Sequence, residues 1–531
     1  MGIVMNTIRS IFQSKPSNKP SPQKQDTQQQ QEKLHTSIEQ NFEFIKKAFG
    51  NSVDLHTEEI IIDQAGKIKI GLVYVLGLSD KSIIQEMIRN PLILIRLDIQ
   101  QALDDRQSDK LTIIKDHIPA LITKDIQCFD DAYKSILMGL TVILVDGYDT
   151  GLIANTIGGE SRSIEEPPTQ SVVRGPREGF TESLSTNTQL LRKIIRTPNL
   201  WLETMTIGEV THTPVGIMYI NGIANEKIVE EVKLRLQRIE IDAILESGYI
   251  EELIQDETFT TFPTIYNSER PDVIAAGLLE GRIAILVDGT PFVLLVPALF
   301  VQFFQSAEDY YQRAEFATLI RILRYICFFI TLLGPSIYIA VTTFHQELLP
   351  STLLFSLASQ REGVPFPVFA EALIMEITFE ILREAGLRLP KTVGQAVSIV
   401  GALVVGQAAV EAGLVSPAMV IVVAITAISN FVIPSFTMGI SLRLIRFIMM
   451  VLAATFGLFG VIVGLFAMVQ HLCSLRSFGV PYMSPMAPLI IPDQKDTILR
   501  MPHWALFSRP RFISKRNIVR NQTPAPKKPV R

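Results

Sequence analysis

Two regimes of hydrophobic patterning divide this 531-residue chain. Up to about Leu286, short apolar runs alternate with charged stretches of helical period. From about Pro291 to Leu472, Leu, Ile, Val, Phe, Ala and Gly dominate. The first regime contains a repeat. "GLVYVLGLSDKSIIQEMIRN" begins at Gly71 and "GIMYINGIANEKIVEEVKLRL" at Gly216. Each reads as an apolar strand, a glycine, an Asp or Asn cap (Asp80, Asn225) and an amphipathic helix. Further on, "DDAYKSILMGLTVILVDG" ends at Gly147 and "PDVIAAGLLEGRIAILVDG" at Gly289. Each is a short helix, a glycine and a strand closing in Leu-Val-Asp-Gly, where the Asp-Gly pair suits a tight turn. The shared order of the pieces points to duplication: two α/β modules, each with its own small sheet and helices packed on it.

In the second regime the question is length. A helix needs about 20 apolar residues to cross a bilayer. Five segments approach that: Leu319–Val341, Phe366–Leu387, Val393–Ala412, Pro417–Phe436 and Leu444–Leu472. Thr290–Gln305 is shorter, is broken by Pro297 and reads as interfacial. The predicted fold class is a multispanning α-helical membrane domain with an N-terminal soluble α/β region made of two similar modules. The boundaries are a disordered lead (1–36), module one (37–160), module two (161–289), a membrane domain of about five spans (290–475) and a C-terminal tail (476–531). The lead is assigned on composition, since Lys15 to Lys33 has almost no apolar residue to bury.

Charge orients these segments. Arg313, Arg321 and Arg324 precede the first, Arg383, Arg388 and Lys391 close the second, and Arg443 and Arg446 open the fifth. Five crossings place all of them on the side of the modules, which the positive-inside rule makes cytoplasmic. The tail conflicts. Arg476, Arg500, Arg509, Arg511, Lys515 and Arg516 would then lie outside. Either the tail departs from the rule or one apolar segment does not cross.

Composition adds exclusions. The mean hydropathy of +0.28 is high for a soluble protein. The net charge of −4 gives no global pull toward nucleic acid. Cys128, Cys327 and Cys473 lie far apart, with no zinc or disulfide spacing. No phosphate-binding loop, nucleophile elbow, zinc-protease helix or dinucleotide fingerprint occurs, so neither an enzyme nor a cofactor is expected.

The chemistry that remains lies on "PFPVFAEALIMEITFEILREAGLRLP", Pro365 to Pro390. Glu376, Glu380 and Glu384 are spaced by four and form a stripe along one helix face. Glu371 falls on another face. Each carboxylate would cost at least about 2 kcal/mol in hydrocarbon, so the stripe must face water, cations or partners. Phe369, Leu373, Ile377 and Ile381 form an opposite face suited to packing. Several copies around an axis would turn the stripe into an acidic cation path, as rings of Asp or Glu do in cation pores. Glu371, Arg383 and Arg388 are ion-pair or gating candidates, Glu384 with Arg388 being an i, i+4 pair. Val364, between Gly363 and Pro365, is a candidate apolar constriction. The structural alternative pairs the glutamates with arginines of neighbouring helices. Elsewhere, "GPREGF" fixes a bend at Gly175 with Arg177 and Glu178 as an adjacent ion pair; it reads as a linker or as a docking or switch loop.

"GPREGF", "SAEDYY", "EALIMEITFEILREAGLRLP", "VGQAVSIVGALVVGQAAVEAG" and "GVPYMSPMAP", in this order, resemble the A-subunits of GerA-type spore germination receptors. The resemblance covers roughly Ser161 to Pro488 strongly and module one more loosely. It implies a protein of the spore inner membrane that works with a transporter-like B-subunit and a C-subunit lipoprotein. It further implies self-association, as pentamers, into a nutrient-gated channel releasing monovalent cations at the start of germination. A secondary transporter and a non-conducting scaffold of the germination complex are the competing readings. The first would need an inverted repeat among the spans, and none is visible there.

Overall fold

The computed structural model describes residues 32–62, 69–94, 110–118, 121–158, 166–167, 169–388, 406–514 and 517–526. Helix α1 (Ile38–Ala48) opens module one. Strands β1 (Leu55–Ile61), β2 (Lys69–Val75), β3 (Ile122–Ile126), β4 (Thr141–Val145) and β5 (Gly151–Ala154) form an antiparallel sheet of order β1-β2-β4-β5-β3. Alternate residues of β2 serve opposite faces. Val73 and Val75 pack against α1 and α2 (Phe129–Leu137), while Leu72 and Tyr74 pack against Ile84, Ile88 and Ile114 of the helices that follow β2.

Module two repeats this plan element for element. Helix α3 (Leu184–Ile194) precedes β6 (Leu200–Ile207) and β7 (Thr213–Ile220); α4 (Glu226–Gln237) and α5 (Ser247–Ile254) precede β8 (Tyr266–Ser268). Helix α6 (Pro271–Glu280) then leads to β9 (Ile283–Val287) and β10 (Val293–Val296), in the order β6-β7-β9-β10-β8. The predicted matches hold in detail. Gly77 and Gly222 both take positive φ, 87° and 81°, and Asp80 and Asn225 both cap the following helix. One further match was not read from the sequence. Asn41 and Asn187 each close a ring with the residue six before. Asn41 exchanges bonds of 2.7 and 2.8 Å with His35, and Asn187 bonds of 2.6 and 2.7 Å with Thr181.

The modules meet where β1 and β6 begin. Leu202 N donates to Ser52 Oγ at 3.0 Å, and Trp201 Nε1 donates to Ala48 O at 3.3 Å. A Cβ at Gly50 would fall inside the Trp201 indole. Beside them Arg192, fully buried, grips Asp54 with two hydrogen bonds, one of 2.8 Å from Nη2 to Oδ1.

Beyond module two the helices form a bundle with its own core. Helix α7 (Ala314–Thr343) leaves the module; α8 (Ser351–Arg361) lies at the distal end; α9 (Val368–Arg388) and α10 (Pro417–Phe431) run back. Their directions follow from contacts. The start of α9 touches the start of α10 (Glu371 to Ser416), and Arg383 reaches Phe431 at the end of α10. Among the described residues two helices, α7 and α11 (Phe436–Ser474), are long and apolar enough to cross a membrane.

Helix α11 departs from expectation. The single fifth segment, Leu444–Leu472, is two arms, 436–456 and 458–474, broken at Gly457 (φ 61°, ψ −143°). The arms fold back on each other. A Cβ at Gly464 would lie 2.7 Å from Met449 Sδ, two residues that a straight helix would hold about 22 Å apart. Gly460 and Gly464 let the backbones close in, as small residues four apart do. The return arm therefore ends beside the modules: His471 Nε2 lies 3.0 Å from Thr260 Oγ1.

This resolves the conflict of the tail. Ser477 Oγ donates to Thr264 O at 2.7 Å, Arg509 Nε to Leu279 O at 2.7 Å and Ser514 Oγ to Ile223 O at 2.9 Å. Tyr482 and Ile513 are fully buried. The tail is an integral strap on module two, on the same side as the positive helix ends. Two boundaries move as well. Leu34 is buried in module one, so residues 32–36 belong to that module rather than to the lead. Val293–Val296 is β10, completing the second sheet, and Phe300–Phe304 is a buried 3-10 turn; Thr290–Gln305 is thus module and junction rather than an interfacial segment. Residues 393–405 of the third expected span lie outside the described residues.

Removing one partner of a buried pair leaves an uncompensated charge. Asp54→Ala should lower unfolding stability by about 3–5 kcal/mol. The measurement is the denaturant midpoint followed by fluorescence of Trp201, which sits at this joint.

Candidate functional site

Helix α9 carries its carboxylates in three environments. Glu371 is fully buried near the distal end, accepts from Ser416 Oγ at 2.9 Å, and has Arg361 Nε 3.9 Å away. Glu376, also buried, has its Oε2 2.7 Å from Arg446 Nη2. One turn on, Glu380 is 2.7 Å from Arg443, 3.5 Å from Arg383 and 3.6 Å from Arg446. Glu384, a further turn along, is exposed and pairs within its own helix with Arg388 at 2.7 Å.

The stripe is therefore graded. Two carboxylates, Glu376 and Glu380, meet three guanidiniums, Arg383, Arg443 and Arg446, leaving one positive charge in excess. In an apolar bundle such charges attract strongly, and this holds Glu376 and Glu380 toward the first arm of α11. The consequence for the opposite face is a reversal. Ile377 and Ile381, expected to pack, are 46% and 63% exposed, and Ile374 joins them. The outward face of α9 in the single chain is apolar and ends in Glu384 and Arg388.

The Glu376–Arg446 contact is an ion pair without hydrogen-bond geometry. Glu376 Oε1 and Oε2, Arg446 Nε and Nη2, and Arg383 Nε and Nη2 are buried and have no hydrogen-bond partner among the described residues. Arg383 also lies over the Phe379 and Phe431 rings, at 5.5 and 5.4 Å.

A second charged cluster ties the helices to the modules. Asp309, from "SAEDYY", is buried and accepts from Arg321 Nε at 2.8 Å and from Arg324 Nη1 at 2.9 and 2.8 Å. Asp496 of the tail accepts from Arg321 Nη1 at 2.7 Å and from Tyr310 OH at 2.9 Å. Burial pushes the Asp496 carboxyl up, against the pull of Arg321. The neighbouring Tyr311 OH donates to Asp272 at 2.6 Å, and its ring packs on Gly175 of "GPREGF". Arg270 Nη2 donates to Pro176 O at 3.0 Å. The loop is thus docked by Gly175 and Pro176. Arg177 and Glu178 are exposed and form no ion pair among the described residues, contrary to expectation. Val364 is half-buried in the loop between α8 and α9, where its amide donates to Arg361 O at 3.0 Å.

The sequence reading missed the partners more than the acids. The pairing of glutamates with arginines of neighbouring helices holds for Glu376 and Glu380, but the sequence alone marks Arg443 and Arg446, like Arg321 and Arg324, only by orientation and does not assign them as those partners. Their i, i+3 spacing at the start of apolar helices was the available signal that each pair faces acids from another segment.

Arg446→Met should strand Glu376 and cost about 3–5 kcal/mol. Glu376→Leu combined with Arg446→Met should recover most of that loss. Thermal unfolding of the detergent-solubilised protein measures both.

A family profile described as Bacillus/Clostridium GerA spore germination protein matches residues 43–512. Spore germination protein KA of Bacillus subtilis (strain 168) is 53% identical over 496 residues, covering 93% of this chain and 90% of the relative. Spore germination protein GerLA of Bacillus cereus is 41% identical over 470 residues, covering 88% and 94%. The crystal structure of the N-terminal domain of the A subunit of the Bacillus megaterium spore germinant receptor GerK3 aligns with 40% identity and a TM-score of 0.41, over 51% of this chain and 98% of that one. With the family profile matched over most of its length, and relatives this similar end to end, the chain belongs to the GerA family of spore germination proteins.

Proposed function

We propose that this chain is a membrane-embedded subunit of a nutrient-responsive germinant receptor, in which several copies surround a path for monovalent cations. The observation that carries the reading is the graded α9 helix. Its inner carboxylates are matched within the chain, while its outer face, ending in Glu384, has no covering element among the described residues. The isoleucine face would pack against a neighbouring copy or lipid, and Glu384 beyond it calls for water, cations or a partner, which a shared hydrated mouth would supply. Five copies, by family resemblance, would bring five such faces together. Glu384 would draw cations at the proximal mouth, Glu380 would stand at its rim, and Val364 would narrow the distal one. Glu376, held by Arg446, would brace the wall, with Glu371, Arg383 and Arg388 as the pairs that set its position.

The remaining assignments fit this frame. The modules and the tail share one side, which by the positive helix ends would be the cytoplasmic face of the spore inner membrane. A transporter-like B-subunit would bind the nutrient, with a C-subunit lipoprotein completing the complex. The Asp309–Arg321–Arg324–Asp496 cluster would carry movement of module two into α7, and the exposed Arg177 and Glu178 would offer a contact for a partner. The scaffold reading draws on the same buried Glu376–Arg446 pair, which needs no conduction to account for it.

Glu384→Gln removes one charge per copy from the mouth, an effect of about 1 kcal/mol near water. Potassium release from spores after nutrient should slow about fivefold, with the protein present at normal levels. Release at the unaltered rate would remove Glu384 from the path. The absence of any current from purified protein in vesicles would favour the scaffold.

A further inference from the structure

Phe259 is 94% exposed, the most exposed large apolar side chain among the described residues. It lies in the loop between α5 and β8 of module two, and its neighbours fix where that loop sits. Thr260 Oγ1 lies 3.0 Å from His471 Nε2 on the returning arm of α11. Thr261 O accepts from Ser441 Oγ on the outgoing arm. Phe262 is buried in the core of the bundle, its ring centroid 6.3 Å from the His471 ring. Ser441 is five residues inside one end of α11 and His471 three residues inside the other, about 5–8 Å along the helix axis.

We propose that Phe259 is a lipid anchor that seats module two on the membrane, its ring entering the boundary between headgroups and acyl chains. The argument is one of depth. The loop is stapled to both arms beside exposed apolar residues, Ile440 and Leu444 on one arm and Val469 and Phe466 on the other, with Gln470 the exposed polar residue next to the His471 staple. A phenyl ring held at that level and left uncovered by the described residues would meet lipid, and insertion of about 5–10 Å is what interfacial apolar side chains reach. Arg476 is exposed just beyond the helix end and stands at headgroup level. Asp256, three residues before Phe259, is paired with Arg235 at 2.7 Å, while Glu257, exposed two residues before the ring, would have to stay among the headgroups and limits how deep the ring enters. Module two would then sense the membrane surface directly, and movement of the module would drag the staples on both arms of α11.

The inference rests on the membrane reading above, and the test separates the two. The full chain, with Cys128, Cys327 and Cys473 replaced by Ser, is placed in phosphatidylcholine–phosphatidylglycerol vesicles with a nitroxide at one new cysteine. Power saturation then compares lipid-soluble oxygen with a water-soluble nickel chelate as relaxing agents. At Phe259→Cys oxygen should relax the label several-fold more than nickel. At Val210→Cys, on the β6–β7 turn at the other end of the sheet, nickel should dominate. At Phe466→Cys oxygen should dominate strongly. A Phe259→Cys label open to nickel overturns the proposal while the membrane reading stands. A label shielded from both agents also overturns it, since protein then covers the ring. If Phe466→Cys is open to nickel, the membrane reading itself falls, and the anchor with it.

Discussion

A guanidinium carried into an apolar bundle must find a carboxylate there, and this constraint organises the helical half. The opening turns of α7 and α11 each carry two arginines at i, i+3, and each pair converges on acids from elsewhere. Arg321 and Arg324 share Asp309, with Asp496 adding a second anchor for Arg321. Arg446 and Arg443 take Glu376 and Glu380. Breaking one partner of such a pair is expensive, so each cluster sets the rotation of its helix. The first cluster locks α7 to module two and to the tail. The second turns α9 inward and leaves its isoleucine face and Glu384 outside. What is available for a neighbour or an ion is what these pairings leave over.

Duplication supplied the platform. The two modules share strand order, caps and the Asn41/Asn187 ring, yet they have different duties. Module one is held to module two by the Asp54–Arg192 pair and the Trp201 contact. Module two touches almost everything else: the "GPREGF" loop, the tail strap, and both arms of α11. Module two in turn meets the helices at the Tyr311–Asp272 bond and the Thr260 and Thr261 staples.

The repeat was legible in the sequence because strand, glycine, cap and helix leave a local record, and Gly77, Asp80, Gly222 and Asn225 stand where the pattern placed them. The strand order and the burial of the tail were not, since both arise from long-range pairing with no local signature. The fold-back of α11 was hidden because its glycines read equally well as helix-packing positions; only the positive φ of Gly457 distinguishes a turn. The acids of α9 were visible by spacing. Their partners lie about 60 to 70 residues away, and a helical wheel of α9 alone could not show that arginines outside it would reverse which face is buried.

The claim that the outward face of α9 borders a path for ions can be examined directly. Purified protein with Ile381→Cys in a cysteine-free background is reconstituted in vesicles, and cation flux is recorded before and after a cationic thiol reagent. The account predicts flux that the reagent blocks at Ile381→Cys, and leaves unchanged at Val463→Cys on the outer face of α11. Flux untouched by modification at Ile381→Cys would contradict it.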